Sequence, residues 1–481
     1  MSLDALPQGW TESTLAKVIS TNGVISDGDW IESKDQDPDG SVRLIQLADI
    51  GDGDFKNKSQ RFMTPEKAEL LNCTYLKKGD VLVARMPDPL GRACIFPGVG
   101  QDAVTVVDVC LLRATNDSAV GNDFLKYWIN SPQFRAEIEQ NSSGTTRKRI
   151  TRKKLEQIKF PLPPLAEQRE IANRLDTLLA QVDTLKGRLD GLPAILKRFR
   201  QSVLAAAVSG KLTEEWRGTL STAFHQSPVT IGSETDEAPR GWGWKKLVEL
   251  ATLESGHTPR KSVSEYWDDG DVYWISLQDI RAAHGTVIQD TKYKPTMLGI
   301  ENSSARLLPA GTVCFSRDIS VGYTTIMGHQ MSTTQHFANW ICGEELVNKY
   351  LMYALMAAKD HLTISGQGST VKTIYMPALK QFQILLPPKT EQTEIVRRVE
   401  QLFAFADQIE QRVKAAQSRV NHLTQSILAR AFRGELTADW REQNPELISG
   451  EHSASALLAR IKAERAAQTP AKRTRKQKAS A

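Results

Sequence analysis

Apolar residues between positions 171 and 203 recur at alternating steps of four and three: Ile171, Leu175, Leu178, Val182, Leu185, Leu189, Leu192, Leu196, Phe199 and Val203. The same alternation returns at Ile395, Val399, Leu402, Ala406, Ile409, Val413, Ala416, Val420, Leu423 and Ile427. Spacing of this kind draws one narrow apolar stripe along a helix, suited to a partner helix rather than a broad core, so both stretches are predicted as coiled-coil seams. Pro163 and Pro164 precede the first stretch and Pro387 and Pro388 the second, while Gly210 and Gly434 follow them. Prolines at the start and glycines at the stop leave roughly 40 helical residues, a rod of about 60 Å. Gly187, Gly191 and Pro193 fall inside the first rod. An internal proline costs about 3 kcal/mol or more, so the first rod is expected to be two helices end to end, or bent.

The stretches 162–217 and 386–441 align without a gap, and about 20 of roughly 55 positions are identical, which marks an internal repeat. Glu167 and Gln168 return as Glu391 and Gln392. Gln201, Ser202, Gly210, Leu212, Thr213, Trp216 and Arg217 return as Gln425, Ser426, Gly434, Leu436, Thr437, Trp440 and Arg441. A heptad helix ordinarily dimerises the protein that carries it. Two copies in one chain can instead pair with each other, and an antiparallel pairing would relate the attached domains by an approximate two-fold axis.

Outside the rods the pattern shortens to period two. Residues 1–160 open on Pro7, Gly9 and Trp10, carry β-rich runs at 42–47, 80–84 and 104–112, and predict helices over 124–130 and after Pro132. This is the signature of a mixed α+β domain. After the first rod, residues 218–238 are rich in Ser, Thr and Pro and read as a linker. Pro239, Gly241 and Trp242 then open a second domain, 239–385, whose landmarks echo the first. Ile275, Asp279 and Ile280 match Ile45, Asp49 and Ile50; 311–317 matches 79–85; Gly368, Thr370, Lys372 and Ile374 match Gly144, Thr146, Lys148 and Ile150. Residues between landmarks differ almost completely, so one scaffold carries two surfaces. Residues 442–468 hold a short amphipathic helix with Leu457, Leu458 and Ile461 on one face, and 469–481 form a basic tail suited equally to solubility or to DNA. The predicted fold class is α+β: two similar mixed α/β domains separated by two long heptad helices that pair as an antiparallel coiled coil.

Length and charge narrow the function. The 481 residues have room for two to four domains, and a net charge of +5 permits a polyanionic partner without demanding one. Cys73, Cys94, Cys110, Cys314 and Cys342 are odd in number and widely spaced, which points to a reducing compartment and away from a zinc site. No apolar run approaches membrane-spanning length, and the expected location is the cytoplasm. Between 142 and 159, Arg147, Lys148, Arg149, Arg152, Lys153, Lys154 and Lys159 face one acid, Glu156. Such a cluster is either a solvated helix start or a phosphate-binding surface. Gly144, Thr145 and Thr146 just before it favour contact, because small hydroxyl residues and free backbone N–H groups approach phosphate closely.

Catalytic motifs are missing from the sequence. There is no dinucleotide-type glycine loop, no Asn/Asp-Pro-Pro-aromatic run to hold a flipped adenine, no GxxxxGK loop, and no HExxH among the eight histidines. Pro38, Asp39, Asp54 and Lys56 loosely mimic a metal-dependent nuclease, but Asp39 sits in a turn-like Asp-Pro-Asp-Gly run.

Several of these runs carry a family resemblance. LPPLAEQREIANRLDTLLAQVDTLKGRL with KRFRQSVL and GKLTEEWR, and LLPPKTEQTEIVRRVEQLFAFADQIE with QSILARAFRGELTADWR, resemble the two conserved regions of the specificity subunit of type I restriction-modification enzymes, nearest the enterobacterial IA subfamily. GDVLVAR and SGHTPRKSVSEYWDDGDVYWISLQDI are similar to pieces of that family's target-recognition domains. The resemblance implies a subunit without a catalytic site, in which each domain reads one half of a split, asymmetric DNA site and the paired rods set the gap. It also implies two modification subunits carrying S-adenosylmethionine and methylating adenine at N6, and restriction subunits supplying ATP- and Mg-dependent translocation and cleavage, with no cofactor in this chain.

Bases are read by hydrogen-bonding side chains and the backbone is held by Lys and Arg. The candidate DNA-binding residues are therefore Arg85, Thr145, Thr146, Arg147, Lys148 and Arg152 in the first domain, and Thr258, Arg260, Arg317, Ser369, Thr370 and Lys372 in the second. Arg85 and Arg317 follow predicted strands at matching places and could equally form structural salt bridges. Val371 stands where Arg147 does, so a symmetric contact scheme is not expected. Two rivals are a heptad scaffold without sequence preference and a magnesium-dependent nuclease active alone.

Overall fold

The computed structural model describes residues 6–87, 89–144, 147–218, 227–232, 238–365 and 373–468. The chain divides into two compact units, Met1–Leu189 with Ala416–Ala481, and Asp190–Ala415.

Leu165–Val208 and Lys389–Phe432 are each one continuous helix of 44 residues. Pro193 lies inside the first, so the expected division into two helices end to end is corrected. The missing N–H forfeits one hydrogen bond, to residue 189, at an exposed position, while Val182 before it and Leu196 after it stay buried. Packing of the seam outweighs that local loss.

The heptad pattern is sealed on one of its two seam positions. Leu175, Val182, Leu196 and Val203 are buried at multiples of seven, as are Val399, Ala406, Val413 and Val420, while Leu189 and Ile427 of the same series are half-buried. The alternate positions are looser beyond Ile171 and Ile395, which are fully buried: Leu178, Leu192, Phe199, Leu402 and Ile409 are half-buried, and Leu185 and Leu423 are exposed. Polar ties show the direction of pairing. In the first unit, Arg174 near the start of one helix donates to the Leu436 carbonyl just past the end of the other, at 2.7 Å. In the second unit, Arg200 near the end of the first helix pairs with Asp407 at 2.6 Å and Glu410 at 3.0 Å in the first half of the second. The two helices are antiparallel.

The α+β part of the first unit is built on an antiparallel sheet in the order Val24–Ser26, Val109–Arg113, Val81–Ala84, Ala93–Ile95. Its central strand has no polar face because both sides are covered. Val81 and Val83 join the core that includes Trp128 and Phe432, while Leu82 and Ala84 join a second cluster with Ile45 and Phe96. The β-rich run 104–112 holds two strands: Ala103–Thr105 pairs in parallel with Val42–Ile45, and Val109–Arg113 enters the antiparallel sheet. A turn at 106–108, closed by Val109 N–H to the Val106 carbonyl at 2.9 Å, switches the chain between sheets. The predicted helices are Asn122–Ile129 and Pro132–Asn141; Ser131 caps the second, accepting from Phe134 N–H at 3.3 Å, with Pro132 in its first turn. The helix Ala454–Gln468 buries Leu457 and Ile461 in the same core, and Arg465 donates to the Ala16 carbonyl at 2.7 Å.

The second unit repeats this plan. Its sheet runs Ala251–Ser255, Phe337–Cys342, Val313–Ser316, Thr324–Met327, Val287–Ile288, with only the last pair parallel. Val313 and Phe315 face one core and Cys314 the other. The parallel pair Val42–Ile45 and Ala103–Thr105 has its counterpart in Trp274–Ile275 and Ser332–Thr333. Among the described residues no helix is long and apolar enough to cross a membrane.

Candidate nucleic-acid interface and the clamps beneath it

Each α+β domain is locked to the long helices by a buried carboxylate. In the first unit Glu167, fully buried, accepts from Trp10 Nε1 at 2.7 Å, from Thr437 Oγ1 at 2.7 Å and from the Arg441 guanidinium. In the second, Glu391 accepts from Trp242 Nε1 at 3.0 Å, Thr213 Oγ1 at 2.7 Å and Arg217 Nη1 at 2.6 Å. Arg441 and Arg217 also reach the carbonyls of Gly434 and Gly210, at 2.6 and 3.1 Å. Both glycines sit at φ +76°, in the left-handed region that ends a helix. The neighbouring amides bind the domain a second time: Gln168 donates to the Ala119 carbonyl at 2.8 Å and Gln392 to the Glu345 carbonyl at 3.0 Å. A buried charge is tolerated only when its lone pairs are matched by donors, and here a tryptophan, a threonine and an arginine supply them. Glu167, Gln168, Thr213, Arg217 and their repeats were visible in the sequence as recurring residues; that they converge was not.

Arg85 is 4% exposed and pairs with Asp27 at 2.7 Å, and its guanidinium donates to the Val107 carbonyl. Its place is the structural one of its two sequence readings. Its backbone carbonyl accepts from Ile150 N–H at 3.2 Å, which fastens the basic segment to the sheet. In that segment Ser143 and Arg149 form an antiparallel bridge. Gly144 in it has φ +101°, and a Cβ there would lie 2.6 Å from the Arg147 carbonyl, so only glycine fits. Most of the cations are tied: Lys148 to Glu139 at 2.7 Å, Arg149 to Asp108 at 3.2 Å, Arg152 to Asp27 and Glu156 at 3.4 Å each, and Lys159 to Glu12 at 2.7 Å. Arg147 is exposed and, among the described residues, has no acidic partner. Thr145 and Thr146 lie outside the described residues.

In the second unit Arg317 is half-buried, and its guanidinium donates to the Gln335 carbonyl at 3.0 Å and the Ile374 carbonyl at 3.5 Å. Thr258 is brought beside it, donating to Gln335 Oε1 at 2.6 Å. Arg260 is exposed two residues further on. Ser369, Thr370 and Lys372 lie outside the described residues. Gln335, which no sequence pattern singles out, joins Thr258 to Arg317. It lies in a turn between strands where no periodicity or motif marks a residue.

The remaining landmarks are structural. Asp49 and Asp279 each accept a backbone N–H three residues before them, at 2.8 and 2.9 Å, capping equivalent turns. The loose nuclease set is satisfied locally: Asp39 N–H is held by Asp37 at 2.9 Å, and Asp54 pairs with Lys56 at 2.7 Å.

A chain that repeats one scaffold with two different outer surfaces, each locked to paired helices by the same clamp, is built as a two-module recognition protein. Residues 7–194 and 239–416 match the family model described as the type I restriction modification DNA specificity domain, and the chain belongs to that family. It is 37% identical over 385 residues to the Type I restriction enzyme EcoKI specificity subunit of Escherichia coli K12, covering 75% of each chain. It is 39% identical over 360 residues to the EcoBI specificity subunit of Escherichia coli, covering 72% of each. The fold is shared with the HsdS subunit from Thermoanaerobacter tengcongensis at TM-score 0.58 and 19% identity, over 90% of this chain and 99% of that one. A structure described under complex assembly and conformational transition of the type I R-M system gives TM-score 0.62 at 18% identity, with the same coverage. This chain is a non-catalytic specificity subunit, supplying DNA sequence specificity to a type I restriction-modification complex.

Proposed function

We propose that the chain reads a two-part, asymmetric DNA sequence, one half through each α+β domain in the major groove, and thereby directs adenine-N6 methylation or restriction by its partners. The carrying observation is that the two domains share their backbone frame, bond for bond around Arg85 and Arg317, yet expose different side chains on it. Equal readers would specify a palindrome; unequal readers specify a split site without symmetry. The antiparallel helices supply the ruler of the unspecified gap, supported by their continuity over 44 residues each.

Two modification subunits carrying S-adenosylmethionine dock on the chain in this reading, and restriction subunits add ATP- and Mg-dependent translocation and cleavage, in the cytoplasm. Among the candidate residues, Arg147, Lys148, Arg152, Arg260 and Lys372 hold phosphates, Thr145, Thr146, Thr258, Ser369 and Thr370 lie at or near bases, and Arg85 and Arg317 brace the loops behind them.

A domain exchange tests the proposal. Residues 6–160 are replaced by the corresponding domain of a relative with a different specificity, and methylated adenines are mapped in cells that also express the modification subunit. One half of the site changes while the other half and the gap are retained; a change in both halves, or in neither, contradicts independent reading.

A further inference from the structure

We propose that Gln335 reads a base in the second half-site, and that its scaffold position, occupied by Val107 in the first domain, is where the two copies are given different preferences. The inference rests on the reading that each domain meets DNA through a groove. It adds a specificity-determining residue and the base class it takes.

The equivalence of the two positions is set by backbone bonds rather than by sequence similarity. Arg317 N–H donates to the His336 carbonyl at 3.0 Å and Arg85 N–H to the Asp108 carbonyl at 2.9 Å. Ile374 N–H donates to the Arg317 carbonyl at 2.8 Å and Ile150 N–H to the Arg85 carbonyl at 3.2 Å. Phe337 N–H closes its turn on the Thr334 carbonyl at 3.4 Å, as Val109 N–H does on the Val106 carbonyl at 2.9 Å. The arginine side chain then braces the middle residue of the turn through its carbonyl, Gln335 in one domain and Val107 in the other. Gln335, whose backbone is held in this way while its side chain is exposed, combines the rigidity and access that a reader needs; Val107 is half-buried.

The chemistry of Gln335 is narrower than that of a free glutamine. Its Oε1 accepts from Thr258 Oγ1 at 2.6 Å and from Thr334 Oγ1 at 3.1 Å, which occupies both carbonyl lone pairs. Only the two amide N–H donors remain to be offered. A glutamine that reads adenine needs its carbonyl for N6 and its amide for N7; with the carbonyl engaged, that pairing is lost. Two donors match two adjacent acceptors, the O6 and N7 of guanine. Val107 offers no hydrogen bond at all, and its partner of choice is a thymine methyl.

The test uses the chain assembled with its modification subunit. Competition binding is measured against duplexes in which each base pair of the mapped second half-site is replaced in turn. The parent complex is expected to lose about tenfold to hundredfold in affinity on replacing one G·C pair. Gln335→Leu should bind the parental site weaker by that factor and show no penalty at that one pair, with every other penalty unchanged. Thr258→Ala frees one carbonyl lone pair, with Thr334 still on the other, and should relax the same position towards adenine, which a merely structural Gln335 would not produce. Retention of all penalties in Gln335→Leu, or an equal loss on every duplex including unrelated DNA, overturns the assignment. A parent complex without any sequence preference would instead overturn the underlying reading.

Discussion

Thr437 donates a 2.7 Å hydrogen bond to the buried carboxylate of Glu167, 270 residues earlier in the chain. With Trp10 and Arg441 on the same carboxylate, the bond closes the first unit on itself. Glu167→Ala leaves the Arg441 guanidinium largely buried without its counter-charge. Breaking one side of a buried pair costs about 3–5 kcal/mol. Chemical denaturation of the variant should show a loss of that size, and Glu391→Ala a comparable one in the second unit. A loss under about 1 kcal/mol for either would remove the clamp from the account of stability.

The basic segment carries the second expectation. Arg147 is exposed without an acidic partner among the described residues, whereas Lys148 is engaged by Glu139. Arg147→Ala with Lys148→Ala should weaken binding to the first half-site and lower the slope of log affinity against log salt by roughly one for each phosphate no longer neutralised, most of it from Arg147. Unchanged affinity and slope in the assembled complex would take that segment out of the interface.

Pro193 gives a third. It sits at an exposed position in the interior of an unbroken helix, where a proline is about 3 kcal/mol worse than alanine. Pro193→Ala should stabilise the protein by about 1–3 kcal/mol without altering the methylated sequence. A destabilised variant would mean that residue 193 is needed as a break.

The cysteines supply a pH-dependent check. Burial pushes the Cys94 and Cys110 thiols from the usual value of 9.0 up to about 12. A thiol whose pKa is higher folded than unfolded contributes stability that is complete below about pH 9, and the contribution fades as pH rises through the range from 9.0 to about 12. Iodoacetamide at about pH 8 should leave Cys110 unmodified in the folded protein and label it in denaturant; rapid labelling of the native chain would contradict the burial.

Much of this architecture was legible in the chain because the repeat displays it twice. Heptad spacing located both helices, and the Pro-Gly-Trp openings located both domains. Pro193 misled because a local penalty was weighed without the seam that holds the helix on either side of it. The β-rich run 104–112 did not show its division into two strands, because periodicity cannot show a chain passing from one sheet to another. The clamp residues were seen as repeats but not as partners, since nothing local says that Trp10 and Arg441 share one carboxylate. Gln335 left no signal: its meaning lies in Thr258 and Arg317, which the fold brings from elsewhere in the chain to join it and its neighbour Thr334.

The central claim is that two unlike readers on one scaffold specify one split sequence, and mapping methylated adenines tests it most directly. DNA from cells expressing this chain with a modification subunit should carry N6-methyladenine at a single non-palindromic site of two short specified halves around a fixed gap. Methylation at an uninterrupted or palindromic site, or methylation scattered without sequence preference, would contradict the account.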